Sequence, residues 1–186
     1  MKKFIIGFAL ALMSVMAQAA TPLVINGNFE NGLTGWTQGG DTKFQKVVGP
    51  QDGNHAFSDG AIGNNGYGYL SQLINTVAGT HYDLTFDLRG VPTPNGVNHS
   101  EVVFGSLVTG SVQDNFSFPL AQRFTFTNLL ATGNSTLLQF AAASSKSFVL
   151  IDNVSLQVSA VPEPMTYLMV LIGLGLITLV KRRRSH

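Results

Sequence analysis

"HYDLTFDLRG" (residues 81–90) decides how this chain folds. Tyr82, Leu84, Phe86 and Leu88 alternate with His81, Asp83, Thr85, Asp87 and Arg89. A period of two marks a strand with one buried and one wet face. The same period returns on the C-terminal side. "QRFTFTNL" (122–129) puts Phe124 and Phe126 on one side, and "STLLQFAA" (135–142) aligns Leu138, Phe140 and Ala142. "SFVLIDNVSLQVS" (147–159) reads as Phe148, Leu150, Asp152, Val154, Leu156 and Val158 on a single face, with a carboxylate among hydrophobes. Between these runs lie "NGNFENGLTG" (26–35), "GPQDGN" (49–54), "SDGAIGNNGYG" (58–68), "GVPTPNG" (90–96) and "ATGNS" (131–135). Gly and Asn accept positive φ at low cost, so these clusters read as turns. No stretch before residue 160 sustains a helical period. Short strands at this spacing predict an all-β sandwich over residues 20–160.

Both ends of the 186-residue chain read as processing segments. Lys2 and Lys3, the apolar run from Phe4 to Val15, and Ala17-Gln18-Ala19 form the three regions of a secretory signal peptide, residues 1–19. Six of the eleven basic residues lie in the two tails. Residues 21–160 therefore hold five basic and nine acidic side chains, a net charge of −4. Such a domain has no electrostatic reason to bind nucleic acid. The absence of cysteine excludes disulfides, thiolate metal sites and a Cys nucleophile.

Three stretches carry a more specific likeness. "LVINGNFENGLTGWT" (23–37) resembles the opening of galactose-binding-like jelly rolls, the fold of many carbohydrate-binding modules, where an Asn-Gly-x-Phe-Glu strand precedes a Gly-Trp. "FVLIDNVSLQVS" (148–159) resembles their closing Asp-Asn-Val-x-Leu strand. "GYLSQLINTVAGTHYDLTFDLRG" (68–90) resembles their central hairpin. The likeness implies a jelly-roll β-sandwich. It also implies a structural calcium ion held by Glu30 and Asp152, with carbonyl ligands from the "QDGN" turn at residues 51–54. Calcium takes six to eight hard oxygen ligands, which suits two carboxylates and a turn. It would also explain an Asp on an apolar strand face, because an unpaired buried carboxylate is costly.

A glycan site in such a fold uses exposed aromatic rings and polar hands. The candidates are Tyr67 and Tyr69 in "GNNGYGYL", with Asp83 on the polar face it shares with His81, Asp87 and Arg89. Trp36 is expected inside. Catalysis has little support: His55, His81 and His99 sit at no triad or ligand spacing, and no nucleophile elbow is present. Asp83 and Asp87 share a face without further marks of an acid/base pair. The expectation is a non-enzyme.

The tail "SAVPEPMTYLMVLIGLGLITLVKRRRSH" (159–186) points to a destination. Residues 165–180 are uncharged, about 24 Å as a helix against a hydrocarbon core of about 30 Å. The flanking Lys181, Arg182, Arg183 and Arg184 can snorkel and would hold the C-terminus inside. Val161-Pro162-Glu163-Pro164, a single transmembrane helix at 165–180 and an Arg-rich end over residues 161–186 resemble the PEP-CTERM sorting signal. That resemblance implies processing by an exosortase, a membrane protease of exopolysaccharide-producing Gram-negative bacteria. The chain would pause in the inner membrane and then pass to the cell surface or extracellular matrix.

The reading that follows is an exported, non-catalytic sandwich in the surface or exopolysaccharide matrix, binding glycan. A purely structural or adhesive protein without a sugar site is the alternative. A plain membrane anchor, a hydrolase or an ice-binding variant stands behind both.

Overall fold

The computed structural model describes residues 22–49, 54–60, 66–90, 98–114, 117–144, 147–160 and 172–173. The signal peptide at 1–19, residues 51–53 of the "QDGN" turn, and most of the tail lie outside them. That includes Val161, Pro162, Glu163, Pro164, Arg182, Arg183 and Arg184. Among the described residues no helix is long and apolar enough to cross a membrane.

Two five-stranded antiparallel sheets face each other. Sheet A runs β1 (Thr37–Gly40), β4 (Gly68–Asn75), β9 (Ser135–Ser144), β6 (Asn98–Phe104) and β7 (Leu107–Asp114). Sheet B runs β2 (Lys46–Val48), β3 (Ala56–Asp59), β10 (Val149–Val158), β5 (His81–Gly90) and β8 (Phe118–Leu130). Alternation supplies the core. Tyr82, Leu84, Phe86 and Leu88 of β5 are buried and meet Leu70, Ile74, Leu138, Phe140, Val102 and Phe104 of sheet A. Phe86 lies at the centre. Its ring stacks on Phe124 at 5.7 Å and Phe126 at 6.0 Å within sheet B, and meets Phe140 of sheet A edge-on at 5.1 Å. Burying one such ring is worth roughly 1.5–3 kcal/mol. Trp36 is inside as expected, 7% exposed, and donates Nε1 to the Asn26 carbonyl at 3.0 Å.

Three expectations are corrected here. The "central hairpin" is absent, because β4 belongs to sheet A and β5 to sheet B. Each strand has one apolar face, and the two pack face to face across the core instead of edge to edge. The turn between them, 76–80, is pinned to the 131–134 turn by the Gly79 amide on the Ala131 carbonyl (2.8 Å) and the Ala131 amide on the Thr80 carbonyl (2.9 Å). The Asn-Gly-x-Phe-Glu segment is a run of turns, not a strand. Asn26 and Phe29 have φ of 52° and 55°, which a regular extended strand does not adopt outside a bulge.

Finally, β10 does not keep one apolar face. Its register against β5 shifts between Asp152 and Ser155, and Asn153 has φ of 52°. This bulge adds a residue and so reverses which parity faces inward. Val149 and Ile151 before it and Val154 and Leu156 after it are buried, whereas Phe148, Leu150 and Asp152 face away from the core. The carboxylate therefore sits on the outer face of sheet B.

Candidate functional site

The bulge brings several charged side chains together. Asp152 pairs in register with Asp87 of β5, and Asp87 with Arg123 of β8. Arg123 grips Asp87 with both arms, Nε to Oδ1 at 2.8 Å and Nη2 to Oδ2 at 2.9 Å. The Asn153 amide group donates to Asp87 Oδ2 at 2.9 Å and reaches Asp152 Oδ2 at 3.3 Å. These contacts, the arginine first, hold the Asp87 carboxyl below its ordinary range. Asp152 goes the other way. Burial raises it, the negative charges of Asp87 and Glu30 add to the rise, and the Asn153 backbone amide at 2.6 Å opposes it. Both aspartates line a cleft of about 240 Å³ with Gly49, Asn54, Ala56 and Arg89.

Glu30 approaches from the turn segment. The His55 amide donates to its Oε1 at 2.7 Å, and His55 Nδ1 lies 2.8 Å from Oε2, where a protonated ring nitrogen donates. These bonds, that of the ring first, lower the Glu30 carboxyl. His55 thus has a partner 25 positions away, which spacing along the chain did not reveal. Among the described residues no three His, Asp or Glu side chains gather in metal-ligand geometry. The residues nonetheless fit a hard cation. Asp152 is a desolvated carboxylate whose charge is worsened by two neighbours, and Gly49 and Asn54, whose backbone carbonyls are hard oxygen donors, line the same cleft.

The glycan candidates do not come together. Asp83 lies on sheet B, where its Oδ1 accepts the Asn128 amide at 3.0 Å and the Ser159 hydroxyl. It fastens the ends of β8 and β10. Tyr67 and Tyr69 lie on sheet A, at and just before β4. Gly39, Tyr69, Ala141 and Glu101 form one cross-strand row on its outer face. In the next row His99 is opposite Ala143, and the exposed Tyr67 ring meets the His99 ring at 4.8 Å across that alanine. His99 Nε2 lies 3.8 Å from Glu101 Oε2. Ala141 and Ala143 make a low floor between taller side chains. None of the five strands of sheet A contains Lys or Arg; its charged residues are Glu101 and Asp114.

His99 and Glu101 were missed from the sequence. Their i, i+2 spacing puts them on one strand face, a signal that was available. Their nearness to Tyr67 and Tyr69 was not, because β9 separates β4 from β6.

Residues 160–184 match a protein-sorting motif. The tail is a PEP-CTERM sorting motif. It implies export and sorting to the cell surface, and it begins where β10 has just ended. No curated protein sequence matches the chain. Solved structures do. The domain TmCBM61, in complex with β-1,4-galactotriose, aligns with a TM-score of 0.56 at 18% identity, covering 75% of this chain and 100% of that one. The CBM22-1 xylan-binding domain of Paenibacillus barcinonensis Xyn10C gives 0.51 at 12% identity, covering 73% and 94%. The K3 cleaved adhesin domain of Lys-gingipain from Porphyromonas gingivalis gives 0.53 at 12%, covering 72% and 98%. At these identities the likeness concerns the fold. Upstream of the sorting motif, the described residues form an all-β jelly-roll sandwich, the fold that these solved domains share.

Proposed function

We propose that this chain is an exported, surface-sorted module that binds glycan without cleaving it, on the outer face of sheet A. The observation that carries this reading is the pair of rows on that face: Tyr67 against His99, and Tyr69 in line with Ala141 and Glu101. Tyrosine rings give a sugar an apolar platform, and His99, Glu101 and Gln139 offer hydrogen bonds to its hydroxyls. A sheet whose strands lack Lys and Arg suits an uncharged glycan and disfavours uronic or sulfated ones.

The sorting motif supports the route. The signal peptide, residues 1–19, directs export. The 165–180 helix then holds the chain in the inner membrane, and an exosortase cuts near Val161-Pro162-Glu163-Pro164, with Arg182, Arg183 and Arg184 on the cytoplasmic side. The sandwich reaches the surface or exopolysaccharide matrix of a Gram-negative bacterium. Calcium, held by Glu30 and Asp152 with carbonyls of the 51–54 turn, would stabilise the fold by neutralising the carboxylates.

Retention on the host's exopolysaccharide tests the reading. Saturable binding that falls with Tyr67→Ala supports it. No retention on neutral polysaccharides leaves the alternative, a structural or adhesive surface domain, which the likeness to an adhesin domain favours. A hydrolase reading has one observation behind it, the opposite shifts of Asp87 and Asp152 in a shared cleft. It is the weaker one, because Arg123 and Asn153 occupy the oxygens that Asp87 would need as a base. Release of reducing sugar that disappears in Asp152→Asn would establish it instead.

A further inference from the structure

The fold delivers its C-terminus to one end of the sandwich and clamps it there. Val158 is in register with Tyr82, the Ser159 amide donates to the His81 carbonyl at 2.9 Å, and the Ser159 hydroxyl bonds Asp83. The sorting motif starts at the next residue, 160. There is no linker between the last clamped residue and the motif.

The surface at that end carries exposed apolar side chains and few charges. It is built from the 76–80 turn and the 131–134 turn, tied together by the Thr76 amide on the Asn134 carbonyl (3.1 Å) and the Ala78 amide on Asn134 Oδ1 (3.2 Å). Val77 is 62% exposed, Leu130 40% and Val158 57%, and all three lie there. Residues 76–82, 128–136 and 156–160 contain no Lys, Arg, Asp or Glu. The nearest carboxylate, Asp83, is turned onto Asn128 and Ser159.

We infer that this end is a lipid-contacting face. While the tail is held in the inner membrane, Val77, Leu130 and Val158 rest in the headgroup region of the bilayer and orient the sandwich on it. The inference rests on the proposed membrane stage of sorting. Apolar side chains without charged neighbours partition into the interface, and only residues 160–164 separate Ser159 from the proposed membrane helix at 165–180, a tether short enough to keep them within reach of it. The two turns are cross-linked to each other, so the face is presented as a rigid unit. The glycan face of sheet A would then stand along the membrane normal and remain open.

The chain has no cysteine, so single labels are clean. Full-length Val77→Cys, Leu130→Cys and Ser117→Cys, each carrying an environment-sensitive fluorophore, would be reconstituted into phosphatidylethanolamine–phosphatidylglycerol vesicles. Ser117 is the control: it is exposed at the opposite end, beside Phe118, which is in register with Gly90. The expected result is a blue-shifted emission, quenched by lipid-borne nitroxide, at positions 77 and 130 and not at 117. Vesicle flotation with all three labels in water overturns the lipid-contacting face alone. Failure to float overturns the membrane stage, and the inference with it.

Discussion

The amide of Val154 donates to the carbonyl of Gly27 at 2.9 Å, and a Cβ on Gly27 would collide with the Val154 carbonyl oxygen. This contact locks the opening turn segment onto the bulge of the closing strand. It also explains why Asn-Gly near one end and Asp-Asn-Val near the other occur together. Asn26 shapes the turn, with Nδ2 on the Gly32 carbonyl at 2.9 Å, and Gln72 of β4 holds the preceding residue by both Ile25 backbone groups.

Gly27→Ala is expected to destabilise the domain by about 1–3 kcal/mol, as overpacking does when backbone has to move. Urea unfolding followed by circular dichroism checks this. A change below a few tenths would mean that the bulge shifts freely.

Phe86→Ala removes the ring that joins the two sheets. The expected loss is roughly 3–5 kcal/mol. A destabilised but folded protein should keep the slope of its urea transition and lower its midpoint.

Asp152→Asn separates the calcium reading from its alternative. The raised carboxyl of Asp152 costs stability when ionised, so without metal the variant should be more stable than the parent at neutral pH. Calcium should raise the melting temperature of the parent and leave the variant unmoved, as binding to the folded state alone requires. Equal calcium responses in both proteins would remove Asp152 from the site.

Acid should act through Glu30 and Asp87, whose carboxyls are lowered in the folded state. Their contribution is complete above the ordinary carboxylate values of about 4 and is lost as pH falls through the lower folded values. Asp152, being raised, works in the opposite sense: its contribution is present at low pH and is lost as pH rises through its folded value. Asp87→Asn should therefore flatten the acid limb of a stability–pH curve, and Asp152→Asn should flatten the limb above it.

Tyr67→Ala should weaken glycan binding by about tenfold, equivalent to 1.4 kcal/mol, and leave the melting temperature nearly unchanged because the ring is exposed. Titration calorimetry with neutral oligosaccharides reads the first and thermal unfolding the second. Anionic oligosaccharides should bind neither form.

Legibility varied with the range of the interaction. The inner face of β5 was readable because alternation within ten residues states which side is dry. The proposal of calcium at Glu30 and Asp152 came from motif likeness, and local pattern misplaced Asp152 on an apolar face. A bulge reverses strand parity with one positive φ at Asn153, and a lone Asn inside an alternating run does not state where the parity changes. The partnership of His55 with Glu30, and the role of Asp83 as a clamp for Ser159, depended on segments distant in the chain.

The sequence by itself determined the all-β class, the inner faces of β5 and β9, the absence of disulfide chemistry and the sorting tail. Each is written in short-range period, composition or contiguous motif. Only the tertiary structure decided that β4 and β5 part into opposite sheets, that Tyr67 and Tyr69 share a face with His99 and Glu101 and not with Asp83, and that Val77, Leu130 and Val158 lie at the end of the sandwich where β10 finishes. The physical reason is that strand order is chosen by how whole apolar faces cover one another. That choice is made between residues scores of positions apart, where no local pattern reaches.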